Sequence, residues 1–393
     1  MKNNWQTKKI GEVCEIINGG TPDTKIAKFW GGEHLWITPK DMGKLDDIYV
    51  DDTGRKITDA GLKNSSAKIL PVNSIILSSR APIGHLAINT KEIATNQGCK
   101  GIVPKKGLAA LFLFYFLKNS VELLNSLGSG TTFKELSGSK LAEVRIPLPP
   151  LPEQQCIVAI LDKAFGAITK AKENAEKNLQ NARELFESYL QSVFANPGDG
   201  WEERKLGEIA NIEYGFTDKA KDIGDYRYIR ITDIDKNGNL EKENKVFINF
   251  SEETKKFLLK DGDLLMVRTG ATYAKVLLYQ NFEKSVFASY LIRISFKINI
   301  INKLYWYFSK SRIYWDQAHK LSSGSAQPQF NGGVLKELIF YFPKSLHDQK
   351  SIVSKLDALS TETKKLEAIY RQKLVDLDEL KKSVLQKAFN GDI

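Results

Sequence analysis

The side chains that could do chemistry are few and scattered. Four histidines (His34, His85, His319, His347) and three cysteines (Cys14, Cys99, Cys156) stand at unrelated spacings, with no Cys or His pattern that would tetrahedrally ligate zinc. There is no G-x-x-x-x-G-K-[ST] loop to cradle phosphates. The GSG at 128–130 lacks both the following glycine and the preceding strand of a dinucleotide fingerprint. No [DNS]-P-P-[YFW] tetrapeptide of an amino-group methyltransferase occurs, and Pro22-Asp23 followed by Thr24-Lys25 is too little for a nuclease core. The acid pairs Asp46-Asp47 and Asp51-Asp52 read as solvated loop residues. The chain is therefore expected to carry no catalytic residue, cofactor or metal of its own.

A chain of 393 residues exceeds one ordinary core, and two or three domains are expected. The densest apolar run, LAALFLFYFL from Leu108 to Leu117, is half the length of a membrane span and reads as a buried helix. No apolar stretch near the N-terminus resembles a signal peptide, and the odd, dispersed cysteines fit a reducing compartment, so a cytoplasmic location and no membrane partner are expected. The net charge of +10 is unevenly placed. Residues 1–150 hold 20 basic against 14 acidic side chains and 197–346 hold 23 against 19, while 151–196 hold 5 against 6 and 347–393 hold 9 against 8. Two basic globular segments suggest a polyanion reaching both.

The two halves repeat. Leu151, Gln154, Ile157, Val158, Leu161 and Asp162 recur 195 residues later as Leu346, Gln349, Ile352, Val353, Leu356 and Asp357. Trp5 with KKIGEVCEI is echoed by Trp201 with RKLGEIANI, while the intervening stretches share little. Four segments follow: mixed α/β at 1–150, one long helix at 151–196, mixed α/β at 197–346 and a second long helix at 347–393. The β-rich runs are LWITP, SIILSSR and CKGIVP in the first half, and YRYIRIT, DLLMVRT and YLIRISF in the second. The PLPPLP run before the first helix reads as a stiff extended strut, with Pro152 at the helix start and Glu153 in its first turn.

Both helices show a 3.5-residue seam. In the second it runs through Ile352, Leu356, Leu359, Thr363, Leu366, Tyr370, Lys373, Leu377, Leu380 and Val384. Its counterpart in the first runs through Ile157, Leu161, Ala164, Ile168, Ala171, Ala175, Asn178, Ala182, Leu185 and Tyr189. A stripe this long must be covered, and the two helices are expected to pair. The fold class expected is mixed α+β: two similar α/β domains separated by two long helices in an antiparallel coiled coil, a pseudo-twofold internal repeat.

IPLPPLPEQQCIVAILD (Ile146–Asp162), its copy and GGTPDTKIAKFWGGEHLWITPKDM (Gly19–Met42) carry a resemblance over the full chain to the DNA-specificity subunits of type I restriction–modification systems. The second copy departs from the phrase by losing three prolines and by His347-Asp348 standing where Pro152-Glu153 stand. The resemblance implies that each variable domain is a target-recognition domain reading half of a split, asymmetric site in double-stranded DNA. It implies that the helices space the halves and dock two methyltransferase subunits, which use S-adenosylmethionine on adenine N6. Motor-nuclease subunits using ATP and Mg²⁺ would join them. An enzyme would need a motif that is missing, and a scaffold without DNA specificity has no need of two basic, divergent domains.

Candidate DNA contacts lie where strands end. Arg80 and Arg268 follow matching runs (ILSSR, LMVR) and enter small-residue turns, where arginine can reach guanine, grip a phosphate or form an internal ion pair. Thr38, Lys40 and Asp41 occupy one strand end, and Arg230, Thr232 and Asp233 the matching one. Asn96 and Gln97 can pair with adenine or cap a turn. Tyr273 and Lys275 follow the second arginine, and Gln327 and Gln329 lie in GSAQPQF. Trp30, Trp36 and Trp306 are expected in cores. The interface expected between helices or with partners comprises Ile157, Leu161, Ile168, Leu185, Ile352, Leu356, Leu359, Leu366, Leu377 and Val384.

Overall fold

The structure is a computed structural model describing residues 5–80, 82–130, 134–235, 237–241, 243–270, 272–280, 283–322 and 330–393. The chain forms two compact units, one of residues 1–175 with 372–393 and the other of residues 176–371. Each unit thus owns part of both long helices, Leu151–Ala195 and Leu346–Asn390.

In the first unit a sheet of five strands runs in the order Cys14–Asn18, Cys99–Pro104, Ile75–Ser78, Leu86–Asn89, Tyr49–Val50. A second sheet runs Arg55–Ile57, Trp30–Ile37, Ile93–Thr95, Ile69–Leu70, with Trp30–Ile37 parallel to Ile93–Thr95. The second unit repeats this order although its sequence does not. Ala210–Tyr214, Leu291–Phe296, Leu264–Val267 and Val276–Leu278 form one sheet, and Phe247–Ile248, Tyr226–Ile229 and Ser285–Phe287 another with the same parallel pair. Every expected β-rich run overlaps one of these strands. They are fully buried on both faces at Ile75–Ser78 and Leu264–Val267, so Ile75–Leu77 and Leu264–Val267 are constrained to be apolar, not to particular residues, while the buried Ser78 hydroxyl donates to Pro82 O and accepts from His85 N, both at 2.8 Å.

The apolar run becomes the helix Ala110–Asn119, whose Phe112, Leu113 and Phe116 pack against Ile157 and Leu161 of the first long helix and Leu385, Ala388 and Phe389 of the second. In the other unit the helix Asn302–Phe308 presents Leu304, Tyr305 and Phe308 to Leu190, Phe194, Val353 and Leu356. Within each unit the early part of one long helix therefore lies against the late part of the other, the antiparallel sense expected.

The repeated phrase has a physical explanation. Gln154 is fully buried; its carbonyl accepts from Ala109 N (2.9 Å), and its amide donates to the carbonyls of Gly107 and Pro149, both at 2.9 Å. Gln349 repeats the set, accepting from Ile301 N (2.9 Å) and donating to the carbonyls of Asn299 (3.2 Å) and Pro343 (2.9 Å). Asp162 accepts from the Tyr115 hydroxyl, and Asp357 from Tyr307 at 2.5 Å. What recurs is a staple between each long helix and its domain. The prolines are not needed for it: Arg145–Leu148 is a strand paired with Gln6–Lys9, as Ile339–Pro343 pairs with Trp201–Lys205, so the expected strut begins as half of a β-ribbon, and its Leu151 and Pro152 open the long helix.

The helix seam keeps its period but shifts at alternate positions. Ile157, Leu161, Ile168 and Leu356 are buried, and Ile352, Leu359, Leu377 and Val384 are half-buried. Leu185 is 52% exposed, Leu366 38% and Leu380 47%, and they leave the seam. The residues one position later replace them. Phe165 lies 5.0 Å under the Lys381 ammonium and Lys172 bonds Asp378 in the first unit. In the second, Phe186 meets Tyr307 and Glu367 accepts from Arg183 at 3.0 Å. Long aromatic and charged side chains reach across the pair from those flanks, and a count of apolar residues alone misses them.

Candidate nucleic-acid interface

The parallel strands end together in each unit, and their exits carry the candidate residues. In the first unit Asn96 N donates to Ile37 O, Ser79 N to Gly98 O, and Leu136 N to Ser79 O, each at 2.8 Å. A Cβ on Gly98 would stand 3.1 Å from both Pro39 Cγ and Asn96 Oδ1 and 3.7 Å from Arg80 Cδ, so the three exits converge on one glycine. Gly19 must be glycine for the same crowding: a Cβ would fall 2.0 Å from Asn96 O. Gly215 stands in the same relation to Ala288 O at 2.2 Å.

Several candidates are spent on the scaffold. Thr38 is buried and caps the helix Pro39–Met42: its hydroxyl donates to Asp41 Oδ2 (2.7 Å) and Asp41 Oδ2 accepts from Thr38 N (3.0 Å). Asn96 donates to Thr21 Oγ1 (2.7 Å) and accepts from Gly98 N (2.8 Å), the turn-capping alternative. Arg230 binds Asp233 through Nε (3.3 Å) and a terminal nitrogen (3.0 Å), and Asp233 is buried. Lys40, Gln97 and Thr232 are exposed on the same turns. Trp36 is core, its indole donating to Gly20 O at 2.9 Å, whereas Trp30 and Trp306 are half-buried. Gln327 and Gln329 lie outside the described residues.

The two arginines differ. Arg80 Nε stands 3.0 Å from Glu135 Oε2 while its side chain keeps 46% exposure. Glu135 also faces Lys100 at 3.8 Å, whose amine is pushed down by burial and by Arg80, with Glu135 opposing. Arg268 has no carboxylate partner among the described residues; its guanidinium lies 5.5 Å over the Tyr214 ring and 5.6 Å over Tyr290. A Cβ on Gly270 would stand 3.9 Å from Ile231 Cδ1, which sets the arginine turn beside the Arg230–Asp233 turn. Tyr273 instead turns to the His319 ring nitrogen (2.7 Å), and Lys275 lines a cavity.

Glu135, Tyr214 and Tyr290 were not singled out from sequence. Tyr290 precedes LIRISF as Gly98 precedes CKGIVP, so aligning strands between halves finds it. Nothing local links Glu135 to Arg80, 55 residues earlier.

The type I restriction modification DNA specificity domain family matches the chain twice, over residues 2–178 and 198–374. The type I restriction enzyme MjaIX specificity subunit of Methanocaldococcus jannaschii is 37% identical over 236 residues, 56% of this chain and 55% of that one. The chain thus matches about half the length of that relative, and 48% of the EcoR124I/EcoR124II specificity subunit of Escherichia coli. The MjaVIII specificity subunit of M. jannaschii aligns over 99% of this chain and 93% of its own at 24% identity. Among solved structures, the HsdS subunit from Thermoanaerobacter tengcongensis has a similar fold, with a TM-score of 0.69 over 99% of this chain and 97% of that one at 18% identity. A chain solved for the complex assembly and conformational transition of the type I R-M system reaches 0.75 over 99% and 98%, also at 18% identity.

Proposed function

We propose a function from one premise: the chain belongs to the type I restriction modification DNA specificity family, as a specificity subunit with two DNA-recognition domains and no catalysis of its own. On this reading each unit binds one half of a bipartite, asymmetric DNA site through the turns at its strand exits. The observation that carries it is the duplicated topology with unlike exits: corresponding strands, with the crowded glycines Gly19 and Gly215 in matching places, deliver Arg80, Lys40 and Gln97 in one unit, and Arg268 and Thr232 in the other. Similar scaffolds with different tips can read two different sequences. Arginine suits guanine or phosphate, and amide side chains suit adenine. Two units on one face of a duplex would meet grooves about one turn, roughly 10 bp, apart.

The long helices would set that spacing and receive two methyltransferase subunits. Leu185, Leu366 and Ile369 in the second unit, and Ile160, Val375 and Leu380 in the first, are exposed apolar side chains that such partners could cover. The methyltransferases would bring S-adenosylmethionine, and motor-nuclease subunits would bring ATP and Mg²⁺. The complex would work in the cytoplasm; among the described residues no helix is long and apolar enough to cross a membrane. The test is a map of N6-methylated adenines in cells expressing the partner methyltransferase with and without this chain. One split, asymmetric motif should vanish with the chain; an unchanged map would show that DNA reading lies elsewhere.

A further inference from the structure

Within the second unit lies a cavity of about 760 Å³ whose charged lining side chains are five basic (Arg183, Lys275, Lys310, Lys364, Arg371) and two acidic (Glu187, Glu367). Arg183 and Arg371 in that wall are both held by one carboxylate, Glu367, at 3.0 and 3.1 Å. Lys275, Lys310 and Lys364 line the same cavity, and among the described residues none of the three is ion-paired. Lys310 is fixed in place: its ammonium donates to Asn237 O at 3.1 Å and stands 3.7 Å above the Trp306 ring. Burial, and then the Lys364 charge, push the Lys310 amine down to about 8 against the pull of Asp235. Amines gathered around one space without a paired carboxylate repel one another, a cost that an oxyanion between them would relieve.

The cavity's position indicates which anion. Lys275 sits on the turn that begins at Arg268, and Asn237 and Gly238 belong to the loop that follows Arg230–Asp233. The two loops touch, since a Cβ on Gly238 would fall 2.7 Å from Val276 O. The cavity is therefore continuous with the turns assigned to DNA. The first unit places Lys118 where the second places Lys310, three residues beyond the tyrosine bonded to the long-helix aspartate. There Lys118 joins Lys172 and Lys381 in a cluster of amines.

We propose that this cavity seats a backbone phosphate of the DNA duplex, beside the bases read by the second unit. This rests on the DNA-reading function above and adds a phosphate seat that extends from the Arg268 turn to the long helices. The experiment is equilibrium binding of the complete chain to two duplexes, one carrying the mapped motif and one unrelated, across about 50 to 300 mM salt. Lys364→Gln and Lys275→Gln, both on accessible positions, should each weaken binding to both duplexes about equally, by roughly three- to tenfold. Each should also lower the slope of log K against log[salt] by about 1. Lys344→Gln, on the same unit but outside the cavity, should change neither. Wild-type affinity and slope in the two cavity variants would overturn the assignment, as would loss of methyltransferase capture with DNA binding intact, which would make the anion a partner's carboxylate. If the unaltered chain binds no duplex at all, the DNA-reading function falls and this seat falls with it. Only in that case is the parent chain itself defective, so the two failures are distinguishable.

Discussion

Arg80 and Arg268 end matched strands in matched sheets, yet one is held by a carboxylate and the other by two tyrosine rings. The difference is one of charge left to spend. Glu135 neutralises part of the first arginine and must be exchanged for a base or phosphate before Arg80 can bind DNA. Arg268 keeps its full charge, preoriented by Tyr214 and Tyr290, with its hydrogen-bonding edge uncommitted among the described residues. A duplicated scaffold can thus hold the backbone constant and vary how freely the same side chain is offered.

The scaffold half of that contrast should break first. Gln154→Ala or Gln349→Ala removes three hydrogen bonds and strands buried amide and carbonyl groups, at a cost of about 3 kcal/mol. Thermal unfolding should show the loss for either variant. A cost below about 0.5 kcal/mol would mean that water replaces the staple. On the DNA side, Arg268→Ala should cost about 1–3 kcal/mol of binding, with discrimination relaxed only in the second half-site. Arg80→Ala should cost less, because the wild-type arginine must first leave Glu135. Equal losses in a fluorescence titration would erase the distinction between the two arginines. Asp357→Asn should destabilise more than Asp162→Asn, by roughly 1 kcal/mol, because Asp357 also pairs with Lys303 at 2.7 Å. Chemical denaturation compares them.

Glu135→Gln should act in the opposite direction, raising DNA affinity a few-fold and steepening its salt dependence by releasing Arg80 and Lys100. The smallest effect concerns pH. The Lys310 amine is lowered to about 8 in the folded chain and titrates near 10.4 when unfolded. Between these values the unfolded chain holds the extra proton, so this group adds stability as pH rises from about 8 to 10. Lys310→Met should flatten that rise in urea midpoints, and an unchanged slope would place the titration elsewhere.

Much of the scaffold was legible before the structure. The 195-residue repeat, both long helices and the buried strands follow from apolar periodicity and a phrase retained without its prolines. The reasons for retention were not: Gln154 and Asp162 carry no periodic signal, and their partners, Ala109, Gly107 and Tyr115, lie about 45 residues away in sequence. The seam was readable only at every seventh residue, since Glu367 and Lys381 occupy core-flanking positions by reaching, not by being apolar. At the strand exits the sequence indicated the turns correctly, but not which side chains a turn consumes. Thr38, Asp41 and Asn96 have the chemistry to meet a base and are used as caps.

The central claim, that each unit independently reads one half of a split site, is tested most directly by exchange. Residues 1–150 would be replaced with the corresponding segment of a family member that directs a different motif, and methylated adenines would then be mapped. Independent reading predicts that one half of the motif changes while the other half and the gap stay as they were. A change in both halves, or in neither, would contradict it.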